Sequence, residues 1–323
     1  MLAAAATAAA AAAAAVGPTG AARMALAAPR LAGAVRVAHT QTEGGGFTVR
    51  RPFPSAGVSH LGGTFLMLDH LGPTHYAPGE ALGAPNHPHR GFQTVTYLLA
   101  GSMQHRDSAN GAGQLGPGDV QWMTAGAGVV HSEMPSDEIM ARGGTVEGFQ
   151  LWVNLRRADK WLPPRYQDVR AAAVPVVAVP GAAHGDSRVK VLAGAFAGTR
   201  GVVDTVTPVS VLDVQLAPGD ALAHPVPDGH VGFVYVFRGA LLLGAGAQRA
   251  GEGAWAEVLG SSGAFALACP RDAAAPGRAL LLHAPPIDEP IARHGPFVMN
   301  THAELQQAFA DYREGRMGRI RAS

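Results

Sequence analysis

Two short polar pairs, His87-Pro88-His89 and His131-Ser132-Glu133, constrain this chain more than any other feature. Each has i, i+2 spacing, and in an extended strand such residues point to the same face. Two neighbouring strands carrying these pairs can therefore aim three imidazoles and one carboxylate at a single point. That donor set suits a divalent first-row transition metal with positions left for outside ligands. Pro88 cannot donate to a ladder, so the first pair belongs at a strand start or a sheet edge. Such a position suits a barrel mouth, where a binding site belongs. The glycines at 126 and 128 permit the close backbone approach that a strand needs as it turns inward before His131.

The surrounding sequence is β in character. Gly91 to Leu99 is rich in β-branched and aromatic residues, and Pro117-Gly118-Asp119 is a turn that leads into Val120 to Met123. Val211 to Leu216 alternates, with Leu212, Val214 and Leu216 on one face and Asp213 and Gln215 on the other. With 42 Gly and 24 Pro, many short strands joined by turns give an all-β antiparallel sandwich or barrel. The segment 87–101 has an echo in 224–239, in which Val226 stands where His89 stands and no H-x-E pair follows. Two similar halves are thus expected, the second without a metal site. Pro163 to Gly185 lacks pattern and reads as a connection. Thr301 to Glu304 matches a capping box, with Leu305, Ala308, Phe309 and Tyr312 following at helical spacing, so a C-terminal helix packs on a barrel. The expected organisation is a low-complexity segment over 1–44, a metal-binding barrel over 45–165, a linker over 166–195, a second barrel over 196–300, and a helix and tail over 301–323.

Composition narrows the function classes. Hydrophobic content of 47% with 15% charged residues fits a globular chain, and a formal net charge of +1 offers nothing that draws it to nucleic acid. The single cysteine, Cys269, excludes an intrachain disulfide and a thiolate-rich zinc site, and its apolar surroundings place it in the core. The first forty residues are dominated by alanine, carry Arg23, Arg30 and Arg36, and contain no acid before Glu43. Arginine without acid is the composition of a plastid or mitochondrial transit peptide. The alternative is a disordered extension, which would leave the protein in the cytoplasm or nucleus. Alanine is too weakly apolar for this segment to span a membrane.

The other polar candidates divide simply. His60, His70, His184, His230 and His283 stand alone in the sequence and read as structural. If no bulge intervenes, Gln93, Val95, Tyr97 and Leu99 share the face of His89, which sets Gln93 beside the metal as a neutral neighbour or weak ligand. Phe92 and Met123 are candidates for the cavity opening, with core packing as the competing reading.

The runs HPHRGFQTVTYLLAGSMQHRDS, LGPGDVQWMTAGAGVVHSEMP, QLWVNL and HGPFVMNT closely resemble the pirin family, the two-barrel members of the cupin superfamily. The resemblance extends over about residues 47 to 314. It implies two tandem jelly-roll-like cupin barrels, of which only the first binds metal, normally Fe(II), through His87, His89, His131 and Glu133. One departure is Gln93, where the family has glutamate. The resemblance further implies a quercetin 2,3-dioxygenase, in which a flavonol and dioxygen react with release of carbon monoxide and Glu133 acts as the catalytic base. It equally implies a non-enzymatic, iron-dependent redox sensor that partners a transcription factor or a G-protein α subunit. Another cupin reaction, or a barrel that has lost its activity, completes the set. A monomer is expected.

Overall fold

A computed structural model describes residues 29–320 apart from Ala56 and Asn110. The chain divides into two compact units: His39–Ala173 with the segment from Ile287 onward, and Val174–Pro286 with the segment that ends at Ala38. Among the described residues, no helix is long and apolar enough to cross a membrane.

Each unit is built from two antiparallel sheets. In the first, a seven-stranded sheet runs Arg165–Val169, Val120–Thr124, Phe92–Ala100, Gly144–Asn154, Phe65–Tyr76, Phe47–Phe53, His39–Glu43. Its four-stranded partner runs Ala84–His89, Val129–Pro135, Met103–Asp107, Ala112–Leu115. The second unit repeats this order. Its four-stranded sheet runs Ala221–Pro225, Ala264–Ala268, Ala240–Leu243, Gln248–Gly251, and Val231–Arg238 lies between Ala254–Leu259 and Gly277–Ala284 in the larger sheet. The repeat seen in the sequence therefore falls on equivalent strands. The central strand Phe92–Ala100 is buried on both faces through Leu98, as expected for a strand flanked on both sides and covered above and below. Leu212, Val214 and Leu216 enter the core of the second unit as their alternation predicts. Asp213, on the opposite face, is also buried, with the Arg278 guanidinium 2.7 Å away.

The expected boundaries need correction at both ends. Leu31–Ala32 and Arg36–Val37 are strands paired to Ala254–Leu259, and His39–Glu43 is a strand of the first unit. Arg36 bonds Glu257 at 2.9 Å and lies over Trp255. Arg30 is buried and donates to the carbonyls of Val226, Pro227, His230, Gly260 and Ser261. Two of the three arginines assigned to a targeting segment are thus part of the fold, and Arg23 lies outside the described residues. The expected linker 166–195 holds strands of both units, Arg165–Val169 in the first and Val176–Ala178 and Arg188–Ala193 in the second. Residues 287–300, expected in the second barrel, return to the first unit because Phe297, Val298 and Met299 fill its core.

The C-terminal helix, His302–Arg313, starts at the capping box formed by Thr301 and Glu304. Leu305 and Ala308 face inward beside Phe297 and Met299. The next inward position is Asp311 rather than Tyr312, three residues after Ala308. Asp311 meets Arg90 at 2.6 Å, and hydrogen bonds from Arg90, Gln307 and Arg316 outweigh burial and bring its carboxyl down to about 2. Lys160 closes the returning segment onto the first unit. Its buried Nζ donates to Gly91 O and Asn154 Oδ1 at 2.7 Å and to Val298 O at 3.0 Å. Lys160→Met takes this donor from the buried Gly91 and Val298 carbonyls and leaves Asn154 Oδ1 with its bond from Leu155 N, so urea unfolding should show a loss of about 3 kcal/mol. A loss under about 1 kcal/mol would show that the ammonium does not hold the segment.

Candidate metal centre

The strand Ala84–His89 lies at the edge of the four-stranded sheet, where Pro88 removes no needed ladder bond. It pairs with Val129–Pro135 so that His131 faces His87 and Val129 faces His89. The three imidazoles gather there, with ring centroids 4.3 Å apart for His87–His131, 4.7 Å for His87–His89 and 4.9 Å for His89–His131. Among the described residues, these three form the one group of His, Cys, Asp or Glu with ligand atoms all within 4.8 Å of one another.

The nitrogens are arranged to coordinate. His87 Nδ1 lies 2.8 Å from Pro85 O, and His89 Nδ1 lies 3.4 Å from Pro296 O. A carbonyl only accepts, so in each ring Nδ1 carries the proton and Nε2 keeps its lone pair. His89 Nε2 and both nitrogens of His131 are buried without a hydrogen-bond partner. Burial, reinforced by neighbouring imidazoles, holds His89 and His131 well below 6.5, so both are neutral near pH 7. Orphaned, neutral nitrogens converging on one point are costly in an apolar core and fit a divalent transition metal.

Glu133 lines the same cavity as His87 and His89 but stands outside the three-imidazole group. The extra residue of this ladder lies on the Ala84–His89 side, because Val129–Pro135 pairs with Met103–Asp107 without a break, so Glu133 keeps the strand face of His131. Its Oε1 accepts from Thr96 Oγ1 and its Oε2 from Gln150 Nε2, both at 2.8 Å. The carboxylate is therefore oriented by two neutral donors while keeping lone pairs toward the cavity. That cavity, of about 500 Å³, is further bounded by Met67, Leu71, Trp152, Arg51 and Arg293.

Gln93 is placed differently from its expectation. Its Oε1 accepts from Trp122 Nε1 at 3.0 Å and Thr124 Oγ1 at 3.3 Å, in a fully buried position that does not line the cavity. Phe92 and Thr96 touch the site instead, so the inward parity of this strand is even. The cause is Gly91, at φ +89°, where a Cβ would overlap the Val298 carbonyl. This residue breaks the strand and resets the alternation counted from His89. Phe92 packs beneath His89 and against Trp152, with ring centroids at 5.0 and 4.3 Å, and Met123 lies in a separate apolar cluster. Neither lines the opening.

The sequence alone gives Trp152, Gln150, Thr96 and Arg293 no role at the site, although Gln150 and Trp152 lie in the QLWVNL run. Thr96 and Gln150 needed the correct parity, and Arg293 has no local signal, since it follows the whole second unit. Nor are His230 and His283 isolated. With His224 they form a chain, His224 Nε2 to His283 Nε2 at 2.9 Å and His283 Nδ1 to His230 Nδ1 at 3.0 Å. Burial lowers His224 to about 4, and burial with its charged neighbours lowers His283 to about 3. The unfolded chain therefore binds more protons than the folded one below pH 6.5. Stability from this pair is complete above pH 6.5, declines as pH falls below it, and is lost by about 4 for His224 and about 3 for His283. Unfolding free energies from urea titrations between pH 7 and 4.5 should fall for the wild type and fall less steeply for His224→Phe, by up to about 1.4 kcal/mol per pH unit. Parallel slopes would remove His224 from that dependence.

Comparison with known proteins agrees with this architecture. The Pirin family model matches residues 46–153, and that of the Pirin C-terminal cupin domain matches residues 211–318. The chain is 40% identical over 274 residues, 84% of its length and 93% of the other's, to a Pseudomonas aeruginosa protein provisionally named a quercetin 2,3-dioxygenase. It is 39% identical to a pirin-like protein of Solanum lycopersicum, over 90% of this chain and 94% of that one. A crystal structure described as quercetin 2,3-dioxygenase from Acinetobacter baumannii superposes with a TM-score of 0.82 at 36% identity, covering 91% of this chain and all of that one.

Proposed function

The chain belongs to the pirin family of tandem cupins, and from that premise we propose that it is a metal-dependent dioxygenase that opens the central ring of a flavonol. The observation that carries this reading is the trio of imidazoles with unbonded, inward nitrogens beside a cavity large enough for a planar aromatic molecule. The names of the Pseudomonas and Acinetobacter relatives favour the quercetin 2,3-dioxygenase reaction. His87, His89 and His131 would hold the metal, with Glu133 as a further ligand or as the base beside it. Iron(II) is the ion proposed.

Bound there, a divalent metal supplies Lewis acidity toward the flavonol 3-hydroxyl and redox chemistry toward dioxygen. The chain's own residues handle the rest. Glu133 takes the 3-hydroxyl proton on a carboxylate oxygen that Thr96 or Gln150 already orients. Met67, Leu71 and Trp152 wall the aromatic rings and exclude water. In the overall reaction both atoms of dioxygen enter the product and one ring carbon leaves as carbon monoxide.

Iron-loaded protein under air should bleach quercetin faster than the same concentration of free iron. His131→Ala should reduce metal content to about a tenth or less by elemental analysis, since it removes one of three neutral ligands. Glu133→Gln should lower turnover by about 100-fold while metal content falls far less. Fully loaded protein with no turnover above free iron would end the dioxygenase reading, and undiminished metal in His131→Ala would end the assignment of the centre. The targeting reading is now confined to residues before 29, and we propose that this segment directs the protein to an organelle. A fusion of residues 1–28 to a fluorescent protein should enter plastids or mitochondria, and a diffuse signal would refute it.

A further inference from the structure

Two guanidinium groups line the cavity, and they are employed differently. Arg51 holds Asp69 through two bonds of 2.6 Å and Glu43 at 2.7 Å, so two carboxylates answer its one charge. Arg293 has no carboxylate within ion-pair reach among the described residues. It donates from Nη1 to Leu66 O at 3.1 Å and lies across Trp152, with Cζ 4.8 Å from the ring centroid. Asp69 and Glu43 act on it only from a distance, while burial and the Arg51 charge push its guanidinium down. An arginine stays protonated under such pressure, and most of its five donors remain unused. Trp152 connects it to the metal centre, because the His89 ring lies 5.2 Å from the same indole. One indole thus separates an imidazole ligand from an unpaired cation on the wall of one cavity.

We propose that Arg293 is a specificity-determining residue that recognises an anion, and that the ligand of this cavity is an aromatic chelator bearing a second, acidic group, of which a carboxylate is the simplest. The inference rests on the reading of the cavity as a site for an aromatic metal-binding molecule, and it narrows the class of that molecule. The planar fork of a guanidinium matches a carboxylate through two parallel N–H···O bonds. Arg51 keeps Asp69 and Glu43 engaged, so the incoming anion meets a free cation rather than displacing an existing partner.

The test compares catechol with 3,4-dihydroxybenzoate, which share the chelating edge and differ by one carboxylate. Both are titrated into metal-loaded, full-length protein under nitrogen, with binding read by tryptophan fluorescence and calorimetry. The wild type should bind the carboxylate about tenfold or more tightly than catechol. Arg293→Met should bring that ratio to about one while leaving catechol within about threefold, and Arg293→Lys should retain part of the preference. A wild-type ratio near one overturns the proposal, as does a ratio that survives Arg293→Met. Should the Met variant fail to fold by circular dichroism, Arg293→Gln takes its place and the wild-type ratio still decides. No arm requires turnover. An intact ratio with no flavonol oxidation counts against the dioxygenase reading alone, and a lost ratio with oxidation intact counts against Arg293 alone.

Discussion

The ladder between Ala84–His89 and Val129–Pro135 holds the candidate centre together, because it places His87 opposite His131 and sets His89 two residues along the same edge strand. Everything else around the site serves that placement. Pro85 and Pro296 supply carbonyls that fix the tautomers of His87 and His89. Glu133, two residues beyond His131 on an unbroken strand, is held by Thr96 and Gln150. A buried imidazole with no bond on either nitrogen, as in His131, is otherwise a liability.

The second unit shows what the same ladder becomes without that demand. His224 pairs with Phe265 and Pro225 with Ala264, as His87 pairs with His131 and Pro88 with Val130. Phe265 therefore occupies the position of His131, and Val226 that of His89. Both are buried apolar core residues. The remaining imidazole, His224, finds a bond to His283 rather than an open coordination position. Leu267, two residues beyond Phe265, likewise stands where Glu133 does, so one strand order supports a polar centre in one unit and an apolar core in the other, and three side chains account for most of the difference.

The histidine pairs were legible in the sequence because strand alternation is a local property and each pair sits within three residues. The all-β class was legible for the same reason, from many short alternating runs closed by Gly and Pro. Gln93 lies off its expected face because alternation does not carry through Gly91, whose left-handed backbone resets it. Tyr312 faces outward although hydrophobicity favours it inside, because Asp311 takes the inward position through its bond to Arg90. Leu31–Ala32 and Arg36–Val37 are each two residues long, too short for any period to register, and Arg30 and Arg36 fit a targeting composition. Trp152 and Arg293 are separated by Val174–Pro286 of the second unit, so nothing in the linear order brings them together.

That last separation has a physical consequence for where the functional unit ends. The first unit is not the contiguous stretch from 45 to 165, since residues 287–300 give it Val298 against Phe92 and Trp152, the Pro296 carbonyl on His89, and Arg293 on the cavity wall. Val298 O also meets Lys160 Nζ, and its backbone occupies the space that a side chain at Gly91 would need. The chain must therefore complete the second unit in sequence before it can complete the site in the first. Loss of the returning segment would remove a tautomer-fixing carbonyl, a core residue and a cationic wall together. The segment is as much a part of the metal centre as the strands that carry the histidines.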